Sequence, residues 1–517
     1  MSRSSSRVEA ARSVRLVRLP AHAAPDPITA AEAFLDRPGF ALLESARPGR
    51  RARWTYLVAD PLAWIEEPAG GADPFAGARG HLWRMSPDAV VAGAASPAWH
   101  GAAIPGSQAG GPPPPFIGGL LGYVSYDLGC LLESLRFRVP DDQGLPLLRL
   151  GLYDWAIAWD GRTGAAWAGG RAIDGDAGRL ETRLADVLDT LTSVSVRVAS
   201  DRGPGDGAQQ DVPARAIRFE SNMDGAGHAR RIDAIRDAIS RGDIYQANLV
   251  RRLAAPFDVD PWPLYRQLRH RDPAPFAAYV DLGTSSTGAP RALVSASPEP
   301  FLAIDPDGRV ATDPVKGTRP RGDTVAADRA MAQELLASAK DRAENVMIVD
   351  VLRNDIGRVC VPGSVRVPRL CRLERTSAVQ HLVSTVTGNL AAGHDALDLL
   401  RVASPGGSIT GAPKIRAMQI LEALEPVRRG PYSGSLGWIG PDGAMATSLL
   451  IRTFVADGRQ LTFHVGGGIT ARSEAGAEWE ETVSKAAGPL RAIGGIDVEA
   501  EAVGAAPNHV HASPAAS

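Results

Sequence analysis

Beyond a polar, glycine- and proline-rich stretch at residues 199–213, the chain alternates short β-type runs with helical ones, and that interleaving leaves few architectures open. Ile232, Ile235 and Ile239 recur at helical spacing within 228–241. Gly242 and Asp243 then turn the chain into an alternating strand at 244–250. Further strands are predicted at 276–280, 293–296, 301–304, around Val315, and at 435–439, 446–454 and 461–465, with helices at 331–352, 396–402, 414–423 and 474–493. Antiparallel-type strands interleaved with helices predict an α+β fold. Upstream, 40–45 and 54–61 are short β-type runs, and 147–159 is a pair of strands with Tyr153, Asp154 and Trp155 between them. Residues 116–127 form a strand whose glycines admit other backbone closely. A helix is predicted at 178–194 and a surface loop at 93–115. The expected organisation is a disordered tail at 1–12, an N-terminal region at 13–198, a linker at 199–213, a second region at 214–497 and a tail at 498–517.

A length of 517 residues allows two to four domains or one large two-lobed enzyme. The formal net charge of −2 comes without a basic block or basic–aromatic stripe, so no nucleic-acid partner is expected. No run approaches the roughly 20 apolar residues of a membrane span, so no membrane is expected either. Cys130, Cys360 and Cys371 are odd in number and lie in no metal-ligand spacing, which suits a reducing, cytoplasmic setting.

Lysine is the scarce charge. Only Lys316, Lys340, Lys414 and Lys485 occur among 56 lysines and arginines. Arginine stays protonated in proteins, whereas a lysine of lowered pKa becomes a nucleophile. Lys316 stands in Thr312-Asp313-Pro314-Val315-Lys316-Gly317-Thr318-Arg319-Pro320, between a proline-stiffened approach and a glycine. That context favours chemistry over a solvated surface charge.

In the closing helix, Glu478, Glu481 and Lys485 share one face next to an apolar stripe, and Ser473 is a candidate cap. A solvated Glu481–Lys485 pair is one reading. The other is a cation relieving the repulsion among Glu474, Glu478 and Glu481, with Gly466, Gly467 and Gly468 just upstream as an anion cradle. Asp341 and Glu344, expected in mid-helix, are one turn apart and are candidates for the same ion or for a salt-bridged face. Oxygen-only ligands suit Mg2+. Residues 404–414 form a glycine-rich loop opening a helix, a candidate anion site without nucleotide-loop spacing. Glu299 follows a strand and is a candidate general acid. His381 begins an alternating strand, and Arg452 is expected to point from an apolar strand toward a carboxylate.

Taken together, Gly242 to Gln246, Ser297-Pro298-Glu299, Lys316 to Pro320, Lys340 to Asn345, Pro405 to Lys414, Arg429 to Gly434, Val465 to Ile469 and Glu478 to Lys485 resemble the chorismate-binding enzymes. That family includes the first components of anthranilate and aminodeoxychorismate synthases and the isochorismate and salicylate synthases. The resemblance spans residues 224–493 and extends weakly into the front half. It implies a two-lobed anthranilate synthase component I-like fold, with antiparallel sheets packed face to face and flanking helices. It further implies that Glu344 and Glu481, with Glu478 close by, hold Mg2+, and that Arg452, Tyr432, Gly466 to Gly468 and Lys485 bind the carboxylates of chorismate. His381 would lie beside the ring, with Thr318 and Gln246 also facing substrate, and Glu299 would protonate the departing hydroxyl. Family members that hydrate chorismate carry a lysine where this chain has Gln246, so hydration is not expected. A lysine at the position of Lys316 resembles the members that aminate C4, so a separate glutaminase subunit is the implied ammonia source. Ser45 and Pro275 resemble parts of a tryptophan pocket.

Overall fold

The computed structural model describes residues 14–20, 24–47, 49, 51–66, 73–85, 112–200, 216–376 and 379–504. Among these residues, two large and almost wholly antiparallel sheets account for the strands. One sheet runs, in spatial order, Val14–Leu19, Ala166–Arg171, Trp155–Asp160, Trp54–Val58, Ala41–Glu44, Phe276–Thr284, Pro290–Ser297, Thr453–Ala456, Gln460–Ile469, Gln246–Pro256, Ile217–Ser221 and Gly495–Asp497. The other runs Val315–Pro320, Val379–Asn389, Arg309–Thr312, Pro300–Ile304, Met445–Leu449, Ser435–Ile439, Gly119–Val124, Leu148–Tyr153 and Ala63–Glu66, with Arg366–Arg375 also paired to Val379–Asn389. The architecture is the expected α+β one.

The sheets face one another across a core that includes Tyr56, Val58 and Val280 from the first and Leu121, Tyr123 and Trp438 from the second. Helices cover both outer faces. Ala177–Ser200, Trp262–Arg271 and Ala475–Ala492 pack on the first sheet, and Ala339–Gly357 and Ala396–Ala403 on the second. Each sheet takes strands from both sides of the 199–213 stretch, so the two regions interleave instead of folding as separate sheets. The 93–115 loop and this linker lie largely outside the described residues, as do the tail at 1–12 and most of that at 498–517. The latter tail begins as a helix, Val498–Gly504, whose Glu501 pairs with Arg218 of the Ile217–Ser221 strand at 3.0 Å.

The chain passes between sheets at points that pattern alone runs together. Leu148–Tyr153 and Trp155–Asp160 belong to different sheets, with buried Asp154 at the crossing. The single strand expected at 446–454 is two, Met445–Leu449 and Thr453–Ala456, parted by a crossing at which Arg452 has φ +50°. The 116–127 strand stops at Val124, because Ser125 caps a helix that begins at Tyr126. The helix expected at 331–352 is also two, Val325–Ala337 and Ala339–Gly357. Ser338 ends the first and caps the second by accepting from Asp341 N at 3.2 Å. Among the described residues, no helix is long and apolar enough to cross a membrane.

Candidate active site

The Val315–Pro320 strand pairs with Val379–Asn389 through a bulge. Lys316 lies opposite Leu382 and Thr318 opposite His381, leaving Gly317 extra. Gly317 has φ +74°, and a Cβ there would lie 2.9 Å from both Asp341 Cβ and Leu335 Cδ1. The bulge therefore needs glycine twice, for its backbone and for its contact with the two helices. Gly317→Ala is expected to cost about 1–3 kcal/mol of stability, readable by denaturant unfolding.

Lys316 is half-buried, and its Nζ donates to Ser408 O at 2.9 Å. Burial holds the amine below its ordinary pKa, against the opposing fields of Glu344 and Glu299. Glu299 is only 8% exposed, and burial pushes its carboxyl up to about 7 against the pull of Lys316. Its Oε1 accepts from Val315 N at 3.4 Å. Burial likewise raises Glu344, opposed by Lys316 and Lys340. An amine held below its ordinary pKa thus lies beside two carboxyls, Glu299 and Glu344, that burial holds above theirs.

The second wall is the Ala475–Ala492 helix. Glu474 occupies its N-cap without a side-chain bond, and Ser473, expected to cap it, instead accepts from Thr470 N at 3.0 Å. The triglycine is not a loop. Gly466, Gly467 and Gly468 lie within the Gln460–Ile469 strand, opposite Val250, Leu249 and Asn248. Gly467 is needed for proximity: a Cβ there would lie 3.1 Å from Glu478 Oε2 and 3.6 Å from Glu481 Oε1. Glu478 is buried with Lys340 3.8 Å away, and Lys485 Nζ lies 2.7 Å from Glu481 Oε1 while donating to Gly466 O at 2.8 Å. Burial works to raise Glu481, but Lys485 holds it below its ordinary value. Beside Gly468, Gln246 is buried with its Oε1 unpartnered among the described residues. Asp341, in the first helical turn and not mid-helix, pairs with Arg319 at 3.2 Å, the salt-bridged reading of that face.

The Ser404–Lys414 loop departs from the anion site expected of it. Gly407–Ile409 is one buried 3-10 turn that presents a carbonyl, Ser408 O, to the amine. Lys414 is structural, paired with buried Asp355 at 2.7 Å. Ser408 and Asn345 were not singled out in the sequence, although each sits within a quoted motif. Arg429 is buried, and it pairs with Glu425 at 2.6 Å while donating to Ile409 O and Asn248 O.

The chorismate binding enzyme family matches residues 60–491. This chain belongs to that family. Among its relatives, aminodeoxychorismate synthase component 1 of Salmonella typhimurium is 41% identical over 375 residues, covering 72% of this chain and 76% of the relative. Anthranilate synthase component 1 of Thermus thermophilus is also 41% identical, over 382 residues, covering 74% and 78%. The crystal structure of anthranilate synthase component I from Streptococcus pneumoniae superimposes with a TM-score of 0.69 at 27% identity, covering 86% of this chain and 94% of that one.

His381 lines a cavity of about 550 Å³ together with Arg47, Pro275, Pro298 and Val315, and neither Lys316 nor Glu344 is on its wall. Its Nδ1 lies 2.9 Å from Thr318 Oγ1, and burial together with the fields of Arg452 and Arg47 lowers it to about 4, so the ring is neutral at pH 7. Arg452 is exposed, not buried, and no carboxylate lies within 4 Å of it among the described residues. Tyr432 is buried with its ring stacked on His464, centroids 4.9 Å apart. Ser45 lines a cavity of about 170 Å³ with Phe276, Ala277 and Trp438, adjoining the one lined by Pro275, with Arg51 and Phe276 on the walls of both, and its hydroxyl donates to Trp54 O at 2.9 Å.

Proposed function

We propose that this enzyme converts chorismate and ammonia to 4-amino-4-deoxychorismate and water, on the route to 4-aminobenzoate and folate. A separate glutaminase subunit would supply the ammonia, a reading supported by the designation "component 1" of the relatives. The observation that carries the proposal is the Lys316 amine, half-buried and held below its ordinary pKa between Glu299 and Glu344. A neutral amine there attacks ring carbon C2, the double bond shifts, and the C4 hydroxyl leaves as water with the proton of Glu299. Ammonia then attacks C4, the double bond shifts back, and the C2–N bond breaks to release the neutral lysine. The new ammonium returns a proton to Glu299, and the enolpyruvyl group is retained throughout.

Glu344 and Glu481, with Glu478 beside them at Gly467, would hold Mg2+. When bound, Mg2+ supplies positive charge for gripping a substrate carboxylate. The donor set fits, since it is all oxygen. No three acidic, histidine or cysteine groups among the described residues enclose a site by themselves, so waters and the substrate would have to complete it. Lys485, Arg452 and the backbone of Gly466 to Gly468 would take the carboxylates, with Gln246, Thr318, His381 and Tyr432 completing the surroundings.

A second reading, anthranilate synthesis, is favoured by the Thermus thermophilus relative, as similar as the Salmonella typhimurium one. The cavity at Ser45 would then be a tryptophan site. Incubating the protein with chorismate, Mg2+ and ammonium and identifying the product separates the two. 4-Amino-4-deoxychorismate is expected, and anthranilate would overturn the choice.

A further inference from the structure

One buried amide joins the two halves of the catalytic cluster. Asn345, fully buried, directly follows Glu344 on the Ala339–Gly357 helix. Its Nδ2 donates to Leu382 O at 3.2 Å, and Leu382 is the residue paired with Lys316 across the strands. Its Oδ1 accepts from Ser384 Oγ and from Cys371 Sγ, the latter at 3.6 Å. Ser384 is itself fully buried; its hydroxyl accepts from Cys371 N at 2.9 Å, and its backbone N donates to Pro314 O at 3.1 Å, two residues before the amine. Hydrogen bonds therefore run from the residue beside Glu344 to Pro314, two residues before Lys316, and to Leu382, opposite Lys316 on the neighbouring strand. A helix and a strand in apolar contact can slide by fractions of an ångström, whereas an amide bonded at both ends fixes the offset.

We infer that Asn345, acting through Ser384 and Leu382, is a positioning residue that sets the placement of Glu344 relative to Lys316. The inference rests on the proposed roles of those two residues in amination. It goes beyond them because Asn345 touches neither substrate nor ion.

Residues that orient the ligands of a metal typically affect affinity or rate by 10–100-fold when removed. Asn345→Ala and Ser384→Ala are each expected to weaken Mn2+ binding, followed by the electron paramagnetic resonance of the free ion, about tenfold and to slow chorismate consumption about as much. Ser384→Thr, which keeps the hydroxyl, is expected to restore both. In a Glu344→Gln background, Asn345→Ala is expected to change Mn2+ affinity by less than about twofold, because the positioned group is already gone. A merely structural asparagine would weaken binding by the same factor in both backgrounds, and that additivity would overturn the inference. So would an Asn345→Ala protein within about twofold of the parent in both Mn2+ affinity and turnover. Should Asn345→Ala not fold, Ser384→Ala decides by the same comparisons. The ion measurement is blind to product identity, so anthranilate as product alongside intact coupling would overturn the proposed function but not the role of Asn345.

Discussion

Lys316→Ala is expected to slow formation of 4-amino-4-deoxychorismate by at least about a thousandfold while chorismate still binds in a Mg2+-dependent manner. The expectation follows from separating what the amine does from what surrounds it. The groups assigned to the ion and the substrate carboxylates come from other elements, namely the Ala339–Gly357 and Ala475–Ala492 helices and the Gln460–Ile469 strand. Removing the butylamine leaves those in place and deletes only the atom that bonds to C2. Lys316→Arg sharpens the test, because a guanidinium keeps the positive charge between Glu299 and Glu344 but cannot be deprotonated to a nucleophile. If Lys316 served only as a countercharge, arginine would rescue; as a nucleophile, arginine is expected to be as inactive as alanine. Anthranilate released by Lys316→Ala would mean that ammonia takes C2 once the amine is gone. A variant matching the parent in product and rate would end the assignment.

What the sequence disclosed and what it withheld divide along a physical line. Local pattern located the strand carrying Lys316, the helix carrying Glu478 and Glu481, and the alternating strand of His381, since periodicity and turn residues report on neighbours in the chain. Breaks within one apparent element were not visible. Ser338 splits a continuous helical pattern into two helices, and Arg452 sits in a left-handed crossing between sheets inside what reads as one strand. Serine and arginine carry no strong breaking propensity, so in both places tertiary packing decides. The triglycine, expected as an anion cradle just upstream of the helix, continues the strand before it, and a Cβ on Gly467 would crowd Glu478 and Glu481. Long-range partners were equally hidden. Nothing in the order of residues announces that Arg319 pairs with Asp341.

Glu299→Gln is expected to lower turnover by about 10²–10⁴-fold and, at the same time, to stabilise the fold above neutral pH. Both signs follow from one shift. Glu299 titrates near 7 in the folded protein because burial disfavours its charge, against an ordinary value of 4.5. As an acid it must be protonated, so turnover is expected to fall as pH rises through about 7. Glu299→Gln should lose that fall in kcat/KM. For stability, the folded state binds more protons than the unfolded one between 4.5 and about 7, so this carboxyl makes folding progressively less favourable across that window. Above it the penalty is complete, on the order of 1–3 kcal/mol. Glutamine keeps the shape and carries no charge, so its advantage over the parent should be absent near pH 4 and full by pH 8, read as a difference in denaturant midpoint. A variant that loses turnover but shows no pH-dependent gain in stability would mean that Glu299 is not the buried acid. A variant that gains stability and keeps its turnover would leave the hydroxyl at C4 to another proton donor.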